Sequence, residues 1–94
     1  MITRRLPIVG MKPRDKKRLA KFRENLARIR QEKGLSQRGL SYQCDVDHTK
    51  ISKLENDQNT NLNLTTLFEL ARGLGVHPYE LINYDFDFTK KEKS

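Results

Sequence analysis

The sequence predicts an all-α fold of five helices, with a basic leader before the folded domain and a short tail after it. Apolar residues recur every three or four positions in successive segments, which is the period of a helix with one buried face. A residue that can cap a helix precedes most of these segments, and a glycine follows several of them. The chain has 94 residues, 35% of them hydrophobic, which is enough for one small core. The predicted boundaries are 1–15 for the leader, 16–83 for the domain and 84–94 for the tail.

The first predicted helix runs from about Lys16 to Lys33. Three helix-breaking residues interrupt the leader before it: Pro7, Gly10 and Pro13. Asp15 is then placed to cap the helix, and Gly34 is expected to end it. The apolar stripe that should face the core consists of Leu19, Phe22, Leu26 and Ile29.

Two short helices separated by a tight turn are predicted next. Ser36 is placed to cap the second helix and Asp47 to cap the third, which should end near Glu55. The inward-facing residues are Leu40 and Cys44 in the second helix, and Ile51 and Leu54 in the third. The apolar periodicity stops between the two helices, which predicts the turn.

The last two helices are shorter. Asn63 is placed to cap the fourth, and either Gly73 or Gly75 should end it. Its predicted apolar face consists of Leu64, Leu67, Phe68, Leu70 and Ala71. The fifth helix should begin after His77, because Pro78 suits a first helical turn, and should end near residue 83. The residues that it should bury in part are Tyr79, Leu81 and Ile82.

The tail alternates aromatic and acidic residues from Tyr84 to Phe88, which is the period of a strand with one apolar face. Three roles fit this pattern: an edge packed on the domain's own core, a dimer contact, or a strand that pairs with residues 2–9. Packing on its own core is the preferred interpretation.

Positive charge is concentrated at the front of the chain. Residues 1–33 carry 12 basic and 3 acidic side chains, whereas residues 34–83 carry 4 and 6. Such a block favours a polyanion, either nucleic acid or an acidic membrane surface, although a merely solvated arm is the alternative. The candidate DNA-binding arm consists of Arg4, Arg5, Lys12 and Arg14.

Several classes of protein are not expected. A single cysteine cannot form an intrachain disulfide, and the chain shows neither a signal-peptide pattern nor a membrane-spanning run, so a soluble, cytoplasmic protein is expected. Cys44 and His48 are four positions apart, but no third ligand lies near them, and a structural cysteine is favoured over a metal site. No phosphate-binding loop or nucleophile motif is present, so we expect no enzyme activity, no cofactor and no metal.

The segment from Leu35 to Asn56 has the spacing of a helix-turn-helix. It opens with Leu-Ser-Gln and closes with Ile-Ser-Lys-Leu-Glu-Asn, and a Leu-Ala-x-x-Leu-Gly-Val pattern follows from Leu70. In these segments the chain, over residues 28–82, resembles the phage repressor and Cro (XRE) type of DNA-binding domain. Three residues depart from the family pattern, which usually has Ala, Gly and Gly there: Ser41, Asp45 and Asp57. The resemblance implies a five-helix, lambda-repressor-like fold.

The resemblance also implies a sequence-specific, repressor-like transcriptional regulator that binds double-stranded DNA as a homodimer. The third helix, residues 47–55, would lie in the major groove. The outward residues expected to contact bases are His48, Thr49, Ser52 and Lys53. Those expected to contact the DNA backbone are Gln37, Arg38, Lys50 and Asn56. Arg30 and Glu55 match a family pair that forms an internal salt bridge.

The alternative is a protein-interaction module that uses the same fold, such as an antitoxin-like or bridging partner. The mixed charge of the third helix keeps this alternative open, because the helix carries two acidic residues, Asp47 and Glu55, as well as two basic ones, Lys50 and Lys53. Alanine substitution of the outward residues of that helix would distinguish the two hypotheses.

Overall fold

The computed structural model describes residues 11–86, and within that range it contains helices and no strand. The helices are α1 (Pro13–Glu32), α2 (Gln37–Ser41), α3 (His48–Asn56), α4 (Leu64–Leu74) and α5 (Pro78–Leu81). The predicted all-α fold of five helices is confirmed. Arg4, Arg5, the 2–9 pairing and the tail beyond Phe86 lie outside the described residues.

One hydrophobic core joins all five helices. Helix α1 packs against α3 and α5, α2 packs against α3 and α4, and α4 packs against α5. The centre of this core consists of side chains that are at most 2% exposed: Phe22, Leu26, Leu40, Ile51, Leu54, Leu70 and Leu81. No helix among the described residues is both long and apolar enough to cross a membrane.

The predicted caps of α2, α3 and α4 are confirmed. The side chains of Ser36, Asp47 and Asn63 each accept a hydrogen bond from the backbone N–H three residues further on, at 2.8, 2.9 and 2.9 Å. These bonds satisfy donors that a helix leaves unpaired in its first turn. Local sequence therefore determines where the three helices begin.

The predicted start of α1 is wrong. The helix begins at Pro13, and Asp15 lies in its first turn rather than at its cap. Proline is compatible with the first helical position because the N–H that it lacks would be unpaired there. Asp15 instead lies 3.5 Å from a guanidinium nitrogen of Arg18. Arg14, a candidate arm residue, is therefore part of a helix, and Lys12 immediately precedes it.

The predicted end of α4 is resolved in favour of Gly75. Gly75 has φ 71°, a left-handed conformation that glycine adopts without a steric penalty. Gly34 ends the turn after α1 in the same way, with φ 73°. Gly73 lies inside α4, where a Cβ atom would be 2.9 Å from Cβ of Cys44. Gly73 therefore permits the close approach of α4 to the segment after α2.

Two predicted helix faces were too wide. Helix α4 buries Leu67, Leu70, Ala71 and Leu74, whereas Leu64 and Phe68 are 66% and 50% exposed. Helix α5 buries only Leu81, and Tyr79 and Ile82 remain exposed. Cys44, expected inside α2, lies beyond its end but still packs against the core. The core is narrower than the apolar stripe, so several large apolar side chains stay on the surface.

A buried amide joins α1 to α5. Asn25 is only 9% exposed, and its Nδ2 donates to the carbonyl oxygens of Glu80 and Leu81, both at 2.9 Å. Its Oδ1 accepts from Arg28 at 2.5 Å. These bonds satisfy carbonyl groups at the end of a helix of four residues, where no further turn can do so.

The described part of the tail folds back on α1. Tyr84 is partly buried against the core, its ring lies 4.9 Å from that of Phe86, and Nζ of Lys21 donates to the carbonyl oxygen of Asp85. Packing on the domain's own core was the preferred interpretation, and Tyr84 follows it. The strand expected from the alternating pattern is absent as far as Phe86.

Candidate nucleic-acid interface

Helices α2 and α3 are the two helices of a helix-turn-helix. They pack against each other, and residues 42–47 connect them. Ile51 and Leu54 of α3 are buried at 0% and 2% exposure, because α3 also packs on α1. One face of α3 therefore holds it to the domain, and the opposite face is available to a ligand.

The outward face of α3 is polar. Thr49 and Lys53, one turn apart, are exposed, whereas His48 and Ser52 are half-buried. Nδ2 of Asn56 lies 3.4 Å from Oγ of Ser52, which places the side chain of Asn56 beside that of Ser52. This face combines donors, acceptors and a positive charge, which are the groups that contact base edges and phosphates.

A nearly buried carboxylate holds the end of α3 in place. Glu55 accepts from Nε and Nη2 of Arg30 at 2.7 and 2.9 Å, and from Nε2 of Gln37 at 3.0 Å. The side chains of Glu55 and Arg30 are 4% and 11% exposed, and the hydrogen bonding that Arg30 donates to Glu55 raises the pKa of Arg30. Nη1 of Arg30 also donates to the carbonyl oxygen of Leu35 at 2.7 Å. Arg30 and Glu55 thus form the ion pair that the resemblance implies, and this pair joins α1 to α3.

The N-terminal ends of α2 and α3 are also in contact. Nη2 of Arg38, an exposed residue in the first turn of α2, lies 3.3 Å from Nε2 of His48, the first residue of α3. Lys50, also in the first turn of α3, is half-buried. The residues expected to contact DNA therefore cluster along α3 and at the start of α2.

A carboxylate of α4 holds the turn between α2 and α3. Oε1 of Glu69 accepts from the backbone N–H of Asp45 at 2.9 Å and from Nη2 of Arg72 at 2.7 Å. This contact was not predicted from the sequence. The only sequence signal was the polar position that Glu69 occupies beside the apolar stripe of α4, and nothing in that position indicates a partner 24 residues away.

Glu69→Gln should lower the free energy of unfolding at neutral pH. The hydrogen bonds from Arg72 and from the Asp45 N–H lower the pKa of the Glu69 carboxyl, so the folded state favours the ionised form. The resulting stability is present above the ordinary carboxyl pKa and is lost as the pH falls through the lowered value. Urea unfolding between pH 3 and 7 should show a difference between variant and wild type that shrinks towards acid. Glu24→Gln is the control, because Glu24 is exposed; a difference independent of pH would contradict the prediction.

The surroundings of Cys44 fit a structural role for this residue. Among residues 11–86 no group of three or more His, Cys, Asp or Glu side chains could hold a metal ion. Burial raises the pKa of Cys44, whose Sγ lies 3.4 Å from the carbonyl oxygen of Leu40. A raised pKa disfavours the thiolate that metal binding and nucleophilic attack require.

Comparison with known families assigns the fold. A family model described as helix-turn-helix matches residues 26–81. This chain belongs to the helix-turn-helix family. The match begins in the second half of α1 and ends with α5, so it spans both the helix-turn-helix and the helices that pack on it.

Relatives of this helix-turn-helix domain are named as regulators. The chain is 40% identical over 58 residues to an HTH-type transcriptional regulator, y4dJ, of Sinorhizobium fredii, covering 62% of this chain and 74% of that protein. The restriction-modification controller protein C.AhdI from Aeromonas hydrophila is similar in structure, with a TM-score of 0.63, 35% identity, and coverage of 67% and 94%. A variant of the controller protein C.Esp1396I, bound to its highest affinity operator site, has a TM-score of 0.63, 32% identity, and coverage of 69% and 88%.

Proposed function

We propose that the protein binds a two-fold symmetric operator as a homodimer and reads each half-site with α3 in the major groove. That it is a DNA-binding transcriptional regulator follows from its family and from the regulators that it resembles. The further proposal concerns which surface reads the DNA, how two copies assemble and what their binding does. Repression of transcription, in the bacterial cytoplasm, is the outcome that we propose.

The observation that carries the proposal is the pair of exposed residues on α3. Thr49 and Lys53 project from a helix whose opposite face is buried and whose end is joined to α1 through Glu55. A major groove admits one α-helix, and a lysine there can bind the O6 and N7 acceptors of guanine, while a threonine can contact a thymine methyl group. His48 and Ser52 complete the proposed base-contacting set.

A second set of residues would hold the domain on the phosphates. Gln37 and Arg38 lie in the first turn of α2, where backbone N–H groups also favour an anion, and Lys50 and Asn56 lie at the two ends of α3. Gln37 already donates to Glu55 of α3, so it would join the phosphate to α3. Phosphate contacts of this kind set the position of the protein without choosing a sequence.

The proposed homodimer uses exposed apolar residues of α4 and α5. Leu64 and Phe68 are one turn apart on α4 and are 66% and 50% exposed, while Tyr79 on the adjoining α5 and Ile82 just after it are 57% and 39% exposed. A second copy of this chain is the proposed occupant, because one short helix reads too few base pairs and a two-fold dimer places two such helices about 34 Å apart. The same patch on each copy would meet itself, as two-fold symmetry requires.

Leu64→Ser combined with Phe68→Ser should convert the dimer to a monomer. The two side chains are largely exposed in the single chain, so their loss should leave the fold intact while removing apolar area from the interface. Sedimentation velocity at several protein concentrations measures the change, and circular dichroism checks the fold. An unchanged dimer would show that another surface holds the two copies together.

The experiment that tests the function is a selection from random duplexes with the full chain. The enriched sequence is then titrated at two salt concentrations. A two-fold symmetric site bound tightly at both concentrations is the expected result. Weak binding without enrichment, falling steeply with salt, would refute sequence-specific reading and would favour the protein-interaction module, for which the exposed apolar residues of α4 and α5 would be the docking surface.

Deletion of residues 1–12 should reduce the salt dependence of DNA binding. Arg4, Arg5 and Lys12 are the proposed arm residues that this deletion removes, and it spares every residue of α1, which begins at Pro13 in the intact chain. For every phosphate that the arm no longer neutralises, the slope of log affinity against log salt should fall in magnitude by about 0.9. A matching variant, Arg14→Ala, tests the fourth arm residue within α1. An unchanged slope in both would leave the arm without a role in DNA binding.

A further inference from the structure

We propose that Arg38 is a positioning residue that determines which ring nitrogen of His48 carries the proton, and thereby which base edge His48 can read. The observation is the 3.3 Å contact between Nη2 of Arg38 and Nε2 of His48. The proposal rests on the proposed function, because it explains how His48, one of the proposed base-contacting residues of α3, selects its base.

The chemistry of the two side chains allows only one arrangement. A guanidinium group carries donors and no acceptor, and it keeps its proton at any pH at which proteins fold. Nε2 of His48 must therefore accept, with its lone pair directed at Arg38. A neutral imidazole ring has one N–H, so that proton lies on Nδ1, because the bond made by one ring nitrogen determines the protonation of the other.

The consequence for DNA reading is a change from an ambiguous group to a defined one. A histidine ring free of Arg38 could offer either a donor or an acceptor to a base. With Nε2 occupied, His48 offers only the Nδ1–H donor. The major-groove acceptors available to it are N7 and O6 of guanine, N7 of adenine and O4 of thymine, whereas the amino groups of cytosine and adenine are donors and cannot pair with it.

The fold keeps the two residues together. Arg38 lies in the first turn of α2, and His48 is the first residue of α3, so two helix starts face each other across the turn. Ser36 and Asp47 cap these two helices and so fix the backbone on both sides of the contact. His48 is half-buried, which restricts its ring, whereas Arg38 is exposed and has further N–H groups that can still reach a phosphate.

Two roles of Arg38 make different predictions. If Arg38 only contacts phosphate, its loss weakens binding to every duplex by the same factor and lowers the salt slope. If it also sets the state of the His48 ring, its loss changes the preference among bases at one position of each half-site. The second effect is the one that a purely electrostatic or structural role does not produce.

The first measurement uses the free protein. Two-bond ¹H–¹⁵N NMR correlations of the His48 ring at pH 8, where an imidazole ring is neutral, report which nitrogen is protonated. We expect the Nδ1–H form in the wild type and a substantial Nε2–H population in Arg38→Ala. Lys50→Ala is the matched control, because it also removes a cation from this surface and should leave the ring unchanged.

The second measurement uses the selected operator with each base pair substituted in turn. The wild type should disfavour cytosine, relative to the other three bases, at the His48 position by roughly threefold to tenfold, the range expected for one hydrogen bond. Arg38→Ala should reduce that preference to about twofold or less and leave the preferences elsewhere intact. Lys50→Ala should weaken all duplexes equally.

The outcomes separate the proposals. An Nε2–H ring in the wild type, or a ring unaffected by Arg38→Ala, would overturn the inference whatever the protein does on DNA. A ring that responds while all base preferences survive would overturn the role of Arg38 in specificity. If the selection enriches no duplex, the proposed function and this role of Arg38 in specificity are refuted together. The NMR measurement would still establish or exclude the contact between the two side chains.

Discussion

Glu55→Ala is expected to lower the free energy of unfolding by about 3 to 5 kcal/mol, the cost of removing one partner from a buried ion pair. Arg30 would keep its charge at 11% exposure with only the Leu35 carbonyl left as an acceptor. Gln37 would lose an acceptor as well. For a domain of this size the change corresponds to a fall in Tm of about 12 °C or more. Urea unfolding followed by circular dichroism measures it.

Glu32→Ala is the matched control for the buried pair. Glu32 pairs with Arg28 at 2.9 Å, but both side chains are more than half exposed, and such pairs contribute at most about 1 kcal/mol. Glu32 also stands at the C-terminal end of α1, where a negative charge opposes the helix dipole. Equal effects of the two substitutions would contradict the role assigned to Glu55.

A double variant keeps the prediction testable if Glu55→Ala does not fold. Replacing Arg30 and Glu55 together by leucine removes both charges, so neither is left buried without its partner. Buried ion pairs replaced in this way often cost little stability or none. The double variant should therefore be more stable than Glu55→Ala, and a double variant that is less stable would contradict the assignment of the loss to an unpaired buried charge.

Sequence was most informative where structure depends on neighbouring residues. The caps at Ser36, Asp47 and Asn63 were predictable because each bond closes over three residues. The start of α1 was not predictable in this way, because Asp15 and Pro13 both favour a helix start. Only the structure shows that the helix begins at Pro13.

Long-range contacts were beyond the reach of the sequence. Asn25 and Glu69 bind backbone groups 55 to 56 and 24 residues away, and a polar residue beside an apolar stripe does not reveal its partner. Leu64 and Phe68 were assigned to the core because periodicity defines the direction of a helix face but not how much of it the other helices cover. The Arg30–Glu55 pair, 25 residues apart, was accessible only through a family resemblance.

Combined replacement of His48, Thr49 and Lys53 by alanine should abolish sequence-specific binding. Specific complexes of this kind are typically at least a thousandfold tighter than non-specific ones, so affinity for the selected operator should fall by roughly that factor. Affinity for a scrambled duplex should change little, because the proposed phosphate contacts of Gln37 and Arg38 remain. Fluorescence anisotropy titrations of both duplexes at one salt concentration measure the two effects.

The fold of this triple variant should be unaffected. None of the three residues belongs to the core, and Thr49 and Lys53 are exposed, so Tm should stay close to that of the wild type. An equal loss of affinity for both duplexes would indicate that the three residues act only through general electrostatics. Full retention of operator binding would show that α3 does not read the bases.

The amide of Asn25 makes α5 part of the same cooperative unit as α1. A helix of four residues has no stability alone, and detaching it would expose Leu81 and leave the buried amide without its two acceptors. In native-state hydrogen exchange the two helices should therefore open together, although they lie far apart in the sequence. Because α5 also carries part of the proposed dimer surface, assembly and folding become linked equilibria. The measured stability of the protein should then rise with its concentration.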